Sequence, residues 1–177
     1  MKTEFDILNG SILVVDDQIV NVQLLEQLLA GAGYTQVRST TNPLEVAALH
    51  AEHRYDLILL DLKMPGMDGF EVMDALKQDK HDKYLSVIVL TAEPAHKLRA
   101  LQAGAKDFIS KPFDLVEVRT RIRNALEVRL LYKKLENYSK LLEMAVQQAA
   151  ADPQPAANAE PAPASVSALA RHALAQR

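Results

Sequence analysis

Apolar runs and apolar stripes alternate along the first two thirds of the chain. Residues 12–15, 57–60 and 87–90 are unbroken apolar tetrads, the pattern of strands covered on both faces. Residues 37–40 and 107–110 complete a set of five strand candidates. Helical signals fall between them. Residues 20–30 repeat Leu24, Leu25, Leu28 and Leu29 as a stripe, ended by Gly31 and Gly33. Asn42, Pro43 and Glu45 line up a cap, a first-turn proline and a capping-box glutamate for a helix to about residue 52. Residues 70–78 and 94–103 read as two further helices, the second closed by Gly104. A second capping box, Asp114 to Glu117, opens the last helix. Strict alternation of strand and helix predicts an α/β fold, a doubly wound parallel sheet with helices on both faces. Ligands of such sheets sit beyond the carboxyl ends of the strands.

The last helical pattern runs on from Leu115 to about Ala149, roughly 50 Å at 1.5 Å per residue. Its apolar stripe has two registers. Leu115, Val118, Ile122 and Ala125 suit packing on the sheet. Val128, Leu131, Leu135, Tyr138, Leu142, Ala145 and Ala149 then alternate three and four, a heptad seam near the lower length limit of a coiled coil. Burial of that seam by a partner is expected, with a homodimer through residues 128–149 as the simplest form; folding back or fraying are the alternatives. Residues 150–164 are rich in alanine and proline, and residues 165–177 are too short to form a stable helix alone. The expected organisation is an α/β domain over 1–125, a helical extension over 126–149, and a linker with a disordered tail over 150–177.

Composition narrows the function classes. With no cysteine among 177 residues, disulfides and thiolate metal sites are excluded. His50 and His53 complete no ligand set and read as part of a solvated helix face. Neither a signal peptide nor a membrane span is legible, so a cytoplasmic protein with no membrane partner is expected. The net charge of -3 is unevenly spread. Residues 1–118 hold 11 Lys/Arg and 18 Asp/Glu, whereas residues 119–140 hold seven basic residues against Glu127 and Glu136. An acidic body with a basic helix does not read as a nucleic-acid binder; the helix charges read as a solvated face.

Chemistry concentrates at the ends of the apolar runs. Asp16 and Asp17 follow the first, Asp61 the third, Thr91 the fourth and Lys111 the fifth. Asp61 is the candidate nucleophile, since an aspartate oxygen can form an acyl phosphate. Phosphoryl transfer then needs a divalent cation and a positioned protein cation. Asp16 and Asp17 suit Mg²⁺, Lys111 suits a phosphate oxygen, and the Thr91 hydroxyl can donate to another. Asp-Asp and Lys-Pro pairs are common in loops taken singly; the combination at strand ends is what points to a site.

The stretches ILVVDDQ, DLILLDLKMPGMDGFEVM, VIVLTAE and AGAKDFISKPFD, within roughly residues 9–125, resemble the receiver domain of bacterial two-component response regulators. The resemblance implies a flavodoxin-like five-stranded sheet in the order 2-1-3-4-5 and a cis peptide at Lys111–Pro112. It implies phosphorylation of Asp61 by a histidine kinase or histidine phosphotransfer protein. It also implies Mg²⁺ held by Asp17, Asp61 and the backbone carbonyl of Lys63, with Asp16 assisting through water. Thr91 is then a switch residue, paired with an aromatic at Phe108. Phe108 lacks the hydroxyl many relatives carry there, so a switch would act through packing; the alternative is an ordinary core aromatic. Lys63 and Glu93 fall where the family tunes dephosphorylation. Gly66 and Gly69 are read as conformational glycines of the turn after Asp61.

Residues 118–146 resemble, more weakly, the helical linker before cyclic-di-GMP phosphodiesterase or diguanylate cyclase domains. No HD, GGDEF or helix-turn-helix pattern follows, so no separate catalytic output is expected, and output falls to the helix or to a separate protein. Two other readings stay open: a constitutive dimeric scaffold that kept only the fold, and a receiver fragment of a cyclic-di-GMP-metabolising regulator.

Overall fold

The computed structural model describes residues 7–79, 82 and 84–151. Its elements are β1 (Ile12–Val15), α1 (Ile19–Gly31), β2 (Val37–Thr40), a 3₁₀ turn (Pro43–Glu45), α2 (Val46–His53), β3 (Leu57–Asp61), α3 (Gly69–Lys77), β4 (Ser86–Thr91), α4 (Pro94–Gln102), β5 (Asp107–Ser110) and α5 (Leu115–Ala151). All strand pairs are parallel, in the order β2-β1-β3-β4-β5. This is the doubly wound parallel sheet that the alternation predicts, in the flavodoxin-like strand order that the resemblance implies. Nearly all of the segment 150–177 lies outside the described residues. None of the described helices is long and apolar enough to cross a membrane.

The three central strands are buried along their whole length. Successive side chains point to opposite faces, so each strand feeds two cores. Leu13, Val15, Ile58, Leu60, Val87 and Val89 meet α2, α3 and α4 on one face. Ile12, Val14, Leu57, Leu59, Ile88 and Leu90 meet α1 and α5 on the other.

Several expectations change in detail. The buried stripe of α1 is Val22, Leu25 and Leu29, while Leu24 is exposed. Asn42 caps through Leu44 N at 3.1 Å, but Glu45 turns instead to the Thr40 hydroxyl, and the α-helix begins only at Val46. Asp114 accepts from the amides of Val116 and Glu117, yet Glu117 binds Arg121 rather than closing a box. A complete capping box forms elsewhere, between Asp68 and Glu71 at the start of α3.

The chain divides into two units, Met1–Asn137 and Tyr138–Arg177. In the first, the face of α5 packed on the sheet is Val118, Ile122 and Leu126, all fully buried. Leu115 is 53% exposed and Ala125 only half-buried, so the expected stripe is displaced by one residue at its end. Packing also continues past residue 125. Arg129 is buried, its guanidinium forked onto Asp82 at 2.7 and 2.6 Å. Arg129 Nε lies 3.7 Å from Asp56 Oδ1, which Lys133 also contacts. Asp56 in turn accepts from the Ser11 amide and hydroxyl at 3.0 and 3.1 Å. His50 is buried rather than solvated, with Nε2 3.3 Å from Asp82 Oδ2. Arg129 and Lys133 therefore do not belong to a solvated face. The described part of the second unit, residues 138–151, is helix, and Tyr138, Leu141, Leu142, Met144 and Val146 are all exposed.

Burial opposes the charge of Asp82, but its contacts with His50 and Arg129 outweigh it and hold the carboxyl below its ordinary value of 3.8. A depressed folded value stabilises the protein above the unfolded value and fades as pH falls through the folded one. The difference in unfolding free energy between the wild type and Asp82→Asn should therefore be constant from neutrality to about pH 5 and shrink below about pH 4, as read by urea titration. In the same assay Leu126→Ala should cost roughly 2–4 kcal/mol. Leu115→Ala should cost under about 1 kcal/mol; equal costs would mean the stripe is misplaced.

Candidate functional site

Parallel pairing aligns the carboxyl ends of β1, β3, β4 and β5, and the chemistry collects there. Asp16 directly follows β1 and Asp61 ends β3; both are buried. Lys111 follows β5 and bridges them, its ammonium donating to Asp16 Oδ2 at 2.7 Å and to Asp61 Oδ1 at 2.9 Å. The Lys111–Pro112 peptide is cis. Asp17 joins the group: one oxygen each from Asp16, Asp17 and Asp61 lies within 4.8 Å of the others. Asp17 Oδ1 is buried and has no hydrogen-bond partner among the described residues.

Asn21 is a site residue the sequence reading missed. It donates Nδ2 to both oxygens of Asp16 at 3.0 Å, while the Gln18 amide donates to Asp16 Oδ1 at 2.9 Å. The signal was available only in hindsight: a polar side chain in the first turn of α1, facing back toward the strand end.

Asp61 Oδ2 accepts from the Lys63 amide at 3.2 Å. The turn that follows folds tightly over the strand end. Gly66 adopts a positive φ of 84°, as a conformational glycine should. Gly69 is required for a different reason, space: a Cβ there would stand 2.5 Å from the Asp61 carbonyl oxygen. Burial pushes the Asp61 carboxyl above its ordinary value; the Lys111 hydrogen bond and charge pull against the rise and Asp16 adds to it. Burial likewise works against the Lys111 ammonium, but its bonds to Asp16 and Asp61 prevail and its value is raised. Three carboxylates against one ammonium leave an excess of negative charge. An orphaned buried carboxylate oxygen and an all-oxygen donor set fit a hard divalent cation such as Mg²⁺.

Thr91 is buried at the end of β4, with its hydroxyl turned to its own loop. It accepts from the Glu93 amide at 3.0 Å and donates to the Glu93 carbonyl at 3.4 Å. The Lys63 ammonium and Glu93 form an exposed ion pair at 2.6 Å, with His96 Nε2 3.2 Å from the other Glu93 oxygen. Phe108 is half-buried on the edge strand β5 rather than a core aromatic. Two cations flank its ring, Lys97 Nζ at 4.9 Å and Arg121 at 5.4 Å. Its position is thus set by cation–π contacts as well as packing.

The chain matches the family model for the response regulator receiver domain over residues 12–123. It is 38% identical over 130 residues to the response regulator PleD of Caulobacter vibrioides, covering 72% of this chain and 28% of PleD. The polar-differentiation response regulator DivK of Brucella anthropi is 36% identical over 118 residues, covering 66% of this chain and 95% of DivK. Among solved structures, the receiver domain of the sensor histidine kinase PA1611 of Pseudomonas aeruginosa, with a magnesium ion in its active-site cleft, superposes with a TM-score of 0.62 at 27% identity. That likeness covers 67% of this chain and 98% of the PA1611 domain. The chain therefore spans most of DivK but little more than a quarter of PleD.

Removing one charge from the crowded cluster should have opposite effects in two conditions. Asp17→Asn should raise the stability of the metal-free protein by about 1 kcal/mol through relief of like-charge repulsion. It should also abolish the gain that Mg²⁺ gives the wild type, which reaches roughly 2.7 kcal/mol at a hundredfold excess over the dissociation constant. Thermal unfolding with and without Mg²⁺ reads both; an unchanged Mg²⁺ response would remove Asp17 from the ligand set.

Proposed function

Because the chain belongs to the response regulator receiver domain family, we propose that it is a cytoplasmic protein that accepts a phosphoryl group on Asp61 from a histidine kinase or histidine phosphotransfer protein. The observation that carries this is the Lys111 ammonium bridging Asp16 and Asp61 beside the unpartnered Asp17 oxygen. An Asp61 carboxylate oxygen forms the new bond to phosphorus as the phosphorus–nitrogen bond of the donor's phosphohistidine breaks, and the donor imidazole leaves with the electron pair. The product is an acyl phosphate.

The residues of this chain supply the rest. Lys111 exchanges its bond to Asp61 Oδ1 for one to a phosphoryl oxygen, keeping Asp16 as its second acceptor. The Lys63 amide already holds Asp61 Oδ2 and so helps fix the orientation of the carboxylate. Asp17, Asp61 and the Lys63 carbonyl, with Asp16 assisting, would hold Mg²⁺, which neutralises charge on the transferred group. Thr91 leaves the Glu93 backbone to donate to the phosphoryl group. Phe108 follows by giving up its contacts with Lys97 and Arg121. The Lys63–Glu93 pair stands at the rim, where it sets the access of water to the acyl phosphate. Output passes through α5, by pairing of residues 128–149 with a second copy or by docking of a separate output protein; the chain itself carries no further enzymatic step.

Asp61→Asn should incorporate no label from a phosphohistidine donor or a small-molecule phosphodonor in the presence of Mg²⁺, while retaining its fold by circular dichroism. Label on the variant equal to that on the wild type would refute the site.

A further inference from the structure

Within the first unit, the turns of α5 that follow Ile122 present two faces. One is held by the body: Leu126 is fully buried, Arg129 is 5% exposed, and Lys133 reaches Asp56. The other is apolar and open, with Val128 51%, Leu131 50% and Leu135 64% exposed. At 3.6 residues per turn these faces point roughly 150° apart. The body that holds Arg129 therefore cannot also cover Leu131 and Leu135, and folding the seam back onto its own sheet is excluded for this stretch. Rolling the helix to hide the seam would carry Arg129 into solvent and leave Asp56 and Asp82 buried without their cation, a strongly unfavourable change.

We infer that Asp56, Asp82 and Arg129 are positioning residues of an interface: they turn the Val128–Leu131–Leu135 face of α5 away from its own body and present it to a second copy of this chain. The inference rests on the pairing proposed above and names what orients it. A second copy is the occupant because the face keeps heptad spacing and the positions beside it carry no self-repulsion. In parallel pairing Glu127 would lie opposite Tyr132 and Lys134 opposite Ser139 of the other copy, so no like charges meet. His50 Nε2 lies 3.3 Å from Asp82 Oδ2, the oxygen that also accepts from Arg129 Nη2, so the acceptor carboxylate has a second buried neighbour.

The test uses the full chain. Its molar mass is followed by light scattering over a dilution series for wild type, Arg129→Met, Asp82→Asn and the double variant Leu131→Ala/Leu135→Ala. Phosphoryl incorporation at Asp61 serves as the measure of an intact body. The wild type should be dimeric and the seam variant should dissociate. Arg129→Met and Asp82→Asn should weaken pairing about tenfold or more, because the seam is no longer preorganised, while still taking up phosphate. Since the chain has no cysteine, Leu131→Cys gives a second readout: oxidation should link the copies, and adding Arg129→Met should lower the yield. Should Arg129→Met fail to fold, Arg129→Lys, which keeps the charge but not the fork, takes its place. A monomeric wild type, or a dimer indifferent to the seam variant, would overturn the pairing itself. A seam-dependent dimer whose affinity is unchanged in the phosphorylatable Arg129 and Asp82 variants would overturn the positioning role alone.

Discussion

Strand β3 has a carboxylate at each end, and much of the polar architecture answers to that constraint. Asp56 precedes Leu57 and Asp61 closes the strand, about 17 Å apart at the rise of a parallel strand. The residues between are wholly apolar and fully buried. Neither carboxylate can stay bare in such surroundings, since burying an unpaired charge costs far more than an apolar core can offset. Lys111 answers at the carboxyl end. At the amino end Ser11, Lys133 and Arg129 answer.

The two clusters differ in charge balance, and that difference separates chemistry from structure. At the amino end two carboxylates meet Arg129 and Lys133, and the guanidinium is forked with good geometry. The charges of that cluster balance, two against two, although Asp56 Oδ1 and Arg129 Nε have no hydrogen-bond partner among the described residues. At the carboxyl end three carboxylates meet one ammonium, and an Asp17 oxygen is buried without a hydrogen-bond partner among the described residues. This cluster is incomplete as it stands. An incomplete set of oxygen donors, opened to solvent at its rim by the exposed Lys63–Glu93 pair, is suited to recruiting a cation and a phosphoryl group.

The carboxyl-end cluster was legible because parallel strands announce themselves as apolar tetrads and their end residues can be read directly. Asp16, Asp17, Asp61 and Lys111 all converge as their positions implied. What the sequence does not record is pairing at a distance. Arg129 reads as one basic residue in a basic helix, and its partner Asp82 lies 47 residues away. His50 likewise looks like a surface histidine until it is brought against Tyr55 and Asp82. Leu126 escaped because two apolar registers overlap near residues 125–128, and spacing alone does not say which of two adjacent residues faces the sheet. Glu45 and Glu117 had the spacing of capping boxes, but each found a stronger competing partner, the Thr40 hydroxyl and the Arg121 guanidinium.

Why a charged joint should hold α5, when apolar contacts already exist, follows from what each kind of contact specifies. Val118, Ile122 and Leu126 fix the helix to the sheet by area, and apolar surfaces tolerate small rotations and repacking at modest cost. A forked guanidinium–carboxylate pair is directional, because both parallel bonds fail together when the planes turn. Buried ion pairs add little net stability over an apolar equivalent, and they are costly to break. Placed one turn beyond Leu126, the last fully buried leucine of α5, such a pair contributes mainly orientation. It converts a helix that merely adheres to the sheet into one with a fixed azimuth. On that helix, azimuth decides whether Leu131 and Leu135 face their own sheet or the solvent.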